Sequence, residues 1–276
     1  MIVNKVLFSL NDNLLYEGFW DINKFIYKNF FNIEPYLLYN TTFNNYKKSN
    51  LYYDKNVLFI ESKTISKNKD WFIPWSLFYG ASLFPEDTIM TSGIDQIPLS
   101  NIFFNKIKDF NEDSYLISFS DAYHNQKSLL NNLFTYPSSH HVSKGKYFKE
   151  IFDIKENWNE EINKIKLVKT FLKKEYPIYD NNFWGLDEAY SSYMINNSNR
   201  NNIIKLKNFF HDTWYPRRID RGRKENINVN LLKNGYYTEY HCPRPYSKHK
   251  DEIKKILNLR YNYNASSNKK YIWRIC

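Results

Sequence analysis

The sequence predicts an α/β domain with a mostly parallel central sheet flanked by helices and an elaborated C-terminal half. Three observations carry this. A strand, a helix and a second strand fall within the first 40 residues, the pattern of a parallel βαβ unit. Short apolar runs at 56–60, 88–95 and 115–120 then alternate with stretches of helical period. No internal repeat and no linker rich in Pro, Gly or Ser divides the 276 residues, so a single domain over 1–276 is expected.

The elements follow in order. Ile2, Val3, Val6, Leu7, Phe8 and Leu10 make a buried strand over 2–10, stopped by Asn11-Asp12-Asn13. Leu15, Phe19, Ile22, Phe25, Ile26 and Phe30 recur at spacings of three and four, which predicts one amphipathic helix over about 14–31. Pro35 to Tyr39 is the second strand and Asn56 to Ile60 the third. The first turn lacks a GxGxxG fingerprint, which disfavours a Rossmann dinucleotide site. Trp75, Phe78, Tyr79 and Leu83 lie near helical spacing, predicting a buried helix over Trp71 to Phe84. Residues 88–95 form a fourth strand, and Tyr115 to Ser120 a fifth that ends in Asp121. Residues 121–148 read as irregular. Ile162, Ile165, Val168, Phe171 and Leu172 set the apolar stripe of a helix over about 158–174. Asp187-Glu188 opens another helix, and a strand-like run from Gly235 to Tyr240 precedes a terminal helix over about 248–259.

Composition sets the outer bounds. Aromatics at 19% and hydrophobics at 42% supply ample core material, which excludes a disordered chain. A net charge of +10 favours anionic partners such as phosphates, nucleotides, nucleic acid or an acidic membrane face. The lysines are scattered, so a diffuse basic surface competes with a specific groove. Only Cys242 and Cys276 are present, which excludes a disulfide framework and a four-cysteine zinc site. The N-terminus has no signal-peptide pattern and no apolar run is long enough to span a bilayer. A soluble, cytoplasmic protein without a transmembrane segment is expected.

Asp95, the Asp187-Glu188 pair and His241 each fall at the end of a predicted element. In an open α/β sheet, ligands bind beyond the carboxyl ends of strands, so an acid such as Asp95 there is placed to meet one. The plain alternatives are a turn-opening aspartate, a helix cap and a structural histidine. Taken together these residues suit a Mn²⁺ or Mg²⁺ site shared with substrate phosphates, with a separate carboxylate as general base. Arg217, Arg218 and Arg221 offer forked donors to phosphate oxygens, a solvated loop or Arg–Asp pairing being the alternative.

Two of these segments point to a family. Ser92-Gly93-Ile94-Asp95-Gln96-Ile97-Pro98-Leu99 resembles the Asp-x-Asp motif of GT-A glycosyltransferases in its local form "DIDMIPL", with Gly93 in place of the first Asp. Trp184-Gly185-Leu186-Asp187-Glu188 resembles the "WGxED" segment of inverting GT-A galactosyltransferases, with the two acids swapped in type. Further segments match, in the same order, a group of virus- and bacterium-encoded GT-A-like proteins. These include Leu7 to Asn13, Ser118 to Tyr123, His141 to Gly145, Arg218 to Arg221 and His241 to Tyr246. Together they touch most of the chain.

The resemblance implies a GT-A-like fold whose residues of about 1–125 bind the nucleotide-sugar, while about 126–276 bind the acceptor and hold the catalytic acids. It implies a metal-dependent glycosyltransferase that moves a sugar from a UDP- or GDP-sugar donor to a glycan or other hydroxyl acceptor, with inversion. Asp95 and His241 would hold the metal, and Glu188 would be the base, with Asp187 a sugar contact or the alternative base. Arg217, Arg218 and Arg221 would meet the diphosphate, and Asn11, Asp12 and Tyr16 the base and ribose. For a virus-encoded chain, the setting would be host cytoplasm. Two other classes compete: a nucleic-acid-binding protein with a basic, aromatic stacking groove, disfavoured because the aromatics fall at core periods, and a metal-dependent phosphodiester hydrolase.

Overall fold

The computed structural model describes residues 1–16, 18–61, 69–122, 135–175, 186–207, 218–221 and 227–263. Strand β1 (Lys5–Asn11) lies inside the main sheet, and its side chains alternate between two cores. Val6, Phe8 and Leu10 enter one, and Leu7 the other. Alternation with both faces apolar is what a strand covered by helices on each side requires.

After β1 come a 3-10 turn (Leu14–Tyr16), α1 (Phe19–Ile26) continuing as a π-helical stretch (Tyr27–Phe31), and β2 (Glu34–Thr41). Next are α2 (Phe43–Lys48), β3 (Val57–Glu61), α3 (Lys69–Ser82) and β4 (Thr88–Thr91). Then follow β5 (Gln96–Pro98), α4 (Ile102–Ile107), β6 (Tyr115–Ile117), β7 (His141–Lys144) and α5 (Gly145–Phe152). The rest comprises α6 (Trp158–Glu175), α7 (Leu186–Asn196), β8 (Ile203–Lys205), β9 (Ile219–Asp220), α8 (Val229–Lys233), β10 (Glu239–His241) and α9 (Tyr246–Tyr261).

The seven-stranded sheet has the order β3-β2-β1-β4-β7-β6-β8. Only the pairings of β7 with β4 and β6 are antiparallel, so the sheet is mostly parallel, as expected. Side chains of α1, α4 and α9 join the core on one face, and those of α3, α5, α6 and α7 the core on the other. A second sheet of three short strands, β5-β10-β9, packs into the first of these cores through Ile97, Ile219 and Tyr240. Many of the aromatics are core residues, among them Trp75, Tyr27, Tyr115, Tyr136 and Phe8. No helix among the described residues is long and apolar enough to cross a membrane.

Three expectations change. The helix over 14–31 is broken at Gly18, whose φ of +93° is left-handed and whose Cβ, if present, would stand 2.4 Å from the Tyr246 ring. A glycine is needed there on both counts. The strand over 88–95 ends at Thr91. The chain then turns through a bond from Gln96 N–H to Gly93 C=O (3.0 Å) and re-enters extended structure as β5, in the other sheet. Pro98 is tolerated because β5 is an edge strand. Residues 121–148, expected to be irregular, contain β7 and the start of α5. Residues 123–134 of that stretch lie outside the described ones.

Candidate active site

The connection from β1 through α1 leads to β2 on one side, whereas the connection from β3 through α3 crosses to β4 on the other. The strand order therefore reverses between β1 and β4, and the crevice beyond their carboxyl ends is where open α/β sheets bind ligands. Asn11 and Asp12 stand at the end of β1, and the loop Ser92–Asp95 leaves the end of β4.

That loop is fixed by its neighbours. Ser92 N–H donates to Leu7 C=O (2.9 Å), Asn23 Nδ2 of α1 donates to Ile94 C=O (2.7 Å), and Cys242 N–H donates to Asp95 C=O (2.8 Å). Gln96 turns its side-chain carbonyl back onto Gly93 N–H (2.8 Å). A Cβ on Gly93 would lie 2.8 Å from that Oε1 and 3.3 Å from Asp95 Oδ1. The Gln96 amide thus occupies the side of the loop on which an acid at position 93 would begin.

Asp95 is 7% exposed, and one of its carboxylate oxygens receives two guanidiniums and an imidazole. Arg221 Nη1 is 2.5 Å from Oδ2, Arg244 Nε 3.2 Å and His241 Nε2 3.5 Å. The other ring nitrogen of His241, Nδ1, faces Asp220 Oδ2 at 3.2 Å. Burial lowers the His241 pKa, but hydrogen bonds to Asp220 and Asp95 outweigh it, leaving the imidazole above its ordinary value of 6.5. Arg244 also donates to the Tyr16 hydroxyl and lies 5.1 Å from that ring's centroid.

Arg218 is anchored on the same small sheet. Its Nε is 3.0 Å from Glu239 Oε1, while His140 Nε2, just before β7, is 2.6 Å from Glu239 Oε2. Burial pushes the Glu239 carboxyl up, but His140 and Arg218 outweigh it and bring it to about 2. Glu239 is consequently a buried anion that ties the β5-β10-β9 sheet to the loop before β7. Arg217 lies outside the described residues.

The paired acids open α7. Asp187 is 4% exposed, and burial, with Glu188 beside it, pushes its carboxyl well above the usual range. Glu188 Oε1 accepts from Ser138 N–H (3.3 Å), and Ser138 C=O accepts from Thr91 Oγ1 (2.9 Å) at the end of β4. Glu188 is thereby joined to the strand that delivers Asp95. The buried His141 holds this loop from below. Nε2–H donates to Pro137 C=O (2.6 Å), which fixes the tautomer in which Nδ1 accepts from Tyr115 OH (2.8 Å). The residues Trp184 and Gly185 before the pair lie outside the described ones.

Asn11 and Asp12 are at the same edge but are engaged locally. Asn11 Oδ1 accepts from Asn13 N–H (3.1 Å). Asp12 accepts from Tyr39 OH (2.6 Å), Thr41 Oγ1 (2.8 Å) and Asn45 Nδ2 (2.9 Å), so its carboxylate ties β2 and α2 to the end of β1. Tyr16 joins the Asp95 cluster through Arg244. Asp95 thus meets Arg221, Arg244 and His241, Arg218 pairs with Glu239, and Glu188 is linked to the end of β4 through Ser138.

No protein-family model matches the chain, and no curated protein matches it. Among solved structures the chain is similar to an active-site mutant of LgtC, at 10% identity and a TM-score of 0.47, over 96% of this chain and 99% of that one. It is also similar to the glycosyltransferase GlyE of Streptococcus pneumoniae TIGR4, at 10% identity and a TM-score of 0.37, over 75% of this chain and 45% of that one. For the bifunctional glycosyltransferase WbbM the values are 13% and 0.41, over 93% and 50%. The chain spans about half the length of GlyE and WbbM, and likenesses this distant do not bear on its activity.

The donor set at Asp95 bears directly on the metal expected from the sequence. A divalent cation needs carboxylate lone pairs, and Oδ2 already receives Arg221, Arg244 and His241. Among the described residues, no three His, Cys, Asp or Glu side chains converge as a metal site. The residues as arranged fit an anion-binding cluster rather than a cation. Sequence reasoning missed Arg244, Asp220, Glu239 and His140 as site residues. Arg244 was within reach, being a cation between two prolines immediately after His241.

Proposed function

We propose that the chain transfers a sugar from a nucleotide-diphospho-sugar, UDP- or GDP-linked, to the hydroxyl of a glycan or other acceptor, with inversion. The observation that carries this reading is the meeting of two chemistries at the β1–β4 switch point. Arg221, Arg244 and the His241 imidazole meet Asp95 on the loop after β4, and Glu188 is joined to the end of that strand through Ser138 and Thr91. The order of motifs shared with GT-A glycosyltransferases supports it further.

In this mechanism the acceptor O–H gives its proton to the Glu188 carboxylate as the oxygen bonds to the anomeric carbon. The bond from that carbon to the diphosphate breaks, and its electron pair stays on the departing oxygen. The guanidinium N–H groups and His241 stabilise that developing charge. Asp187, buried beside Glu188, is the contact to a sugar hydroxyl. Residues of about 1–125 frame the donor side, with Tyr16 at its rim, while those of about 126–276 bring the base and the cations. The Mn²⁺ or Mg²⁺ expected from the sequence has no step here.

Titration calorimetry with UDP- and GDP-sugars, paired with a transfer assay on the Glu188→Gln variant, tests the reading. Donor binding is expected to persist in the variant while transfer falls about 10²-fold or more, the usual worth of a general base. No binding of either donor class, or undiminished transfer in Glu188→Gln, overturns it.

A further inference from the structure

We propose that Asp95 is an anchor for arginines rather than a metal ligand, and that Arg221, Arg244 and His241 bind the donor's diphosphate without a divalent cation. This rests on the nucleotide-sugar reading above and specifies how that site recognises its anion. The decisive geometry is at one atom. Asp95 Oδ2 meets Arg221 Nη1 at 2.5 Å, Arg244 Nε at 3.2 Å and His241 Nε2 at 3.5 Å. A metal bound through that oxygen would stand a few ångströms from two guanidiniums, and like charges at such separations repel strongly where water is scarce. The same oxygen is well placed to hold two guanidinium planes side by side.

Charge and exposure agree with this role. Among the described residues, Arg221, Arg244 and His241 pair with two carboxylates, those of Asp95 and Asp220, so the cluster carries one positive charge in excess when His241 is protonated. The Arg221 and Arg244 side chains are 28% and 24% exposed, so they reach solvent, whereas that of Asp95 is 10% exposed and lies behind them. Each arginine meets Asp95 with one nitrogen, and the guanidinium fork has further N–H groups that match phosphate oxygens in pairs. Arg244 is braced a second time by the Tyr16 hydroxyl. The missing first acid fits as well. The Gln96 amide lies against Gly93, so from this loop Asp95 alone meets the cations.

The test is calorimetric titration of the full chain with UDP and with GDP, first in EDTA and then with Mn²⁺ added. Binding of at least one nucleotide in EDTA, unchanged by Mn²⁺, is expected. Arg244→Gln is expected to weaken that binding about 10-fold or more, the loss of a charge-assisted contact, while Arg244→Lys recovers only part of it. Asp95→Asn is expected to weaken it too, with no rescue by Mn²⁺. Binding that vanishes in EDTA and returns with Mn²⁺ overturns this proposal and leaves the transferase reading standing. Nucleotide affinity unchanged in Arg244→Gln also overturns it. Absence of UDP and GDP binding in both buffers removes both readings together. The metal comparison uses the unmodified chain, so it decides the matter even if a variant fails to fold.

Discussion

At Glu239 a single side chain meets two basic groups from different parts of the chain, His140 and Arg218. Its carboxyl is held at about 2 against an ordinary 4.5. A folded value below the unfolded one stabilises the fold above about pH 4.5, and this is lost as pH falls towards 2. Glu239→Gln leaves His140 and Arg218 without their anion, and breaking such a buried pair costs roughly 3–5 kcal/mol. The variant is therefore expected to melt lower at neutral pH and to lose stability less steeply between pH 4.5 and 2. Thermal melts across that range check both, and an acid limb as steep as the wild type's would count against the assignment. His241 behaves in the opposite sense. Its raised pKa means that its charge, and its share of anion binding, is present at low pH and fades as pH rises through that value.

Between elements, the close approach of Gly18 to Tyr246 couples the turn after β1 to the start of α9. Gly18→Ala meets both a left-handed φ and a Cβ 2.4 Å from the ring, so a loss of about 2 kcal/mol is expected. Because Tyr16 and Arg244 flank this contact, nucleotide affinity should fall with it. A melt unchanged by the substitution would mean that the turn rearranges freely. Elements with long apolar periods were legible in the sequence: β1, β2, α3 and α6 lie within a few residues of their expected bounds. Some short ones were not, although β3 lies within a residue of its expected bounds. β7 is His141-Val142-Ser143-Lys144, a buried strand with one aliphatic residue, and its place is set by ladders to β4 and β6 rather than by any local pattern. The break at Gly18 was hidden because the helical period continues across it. In the site, Asp95 drew notice by its place just beyond an apolar run. The pairing of Asp95 with Arg244 did not, because nothing local links residues so far apart.

Over the whole molecule, acid acts in two successive windows. His141 is fully enclosed, and burial brings its pKa down to about 4 from 6.5. The fold favours the neutral ring, so stability is complete above pH 6.5 and declines as pH falls towards 4, by on the order of 3 kcal/mol. Melting temperature is expected to drop across that interval before the Glu239 window opens. His141→Gln should remove the first decline and leave the second. A decline of the same size in the variant would assign it to another group.

The bond between Arg221 and Asp95 spans 126 positions of sequence, and that between Arg244 and Tyr16 spans 228. Contacts so remote close large loops, and the entropy of closing them places such contacts late in folding. The strands β1 to β4, by contrast, form a framework of neighbours. A growing chain thus displays Asp95 at its strand end long before the residues that charge-balance it exist. Under the proposed anion-binding role, competence would arrive only when β9, β10 and the turn after them dock. A chain stopped before Arg218 would then carry the framework and its motif without the residues proposed to bind.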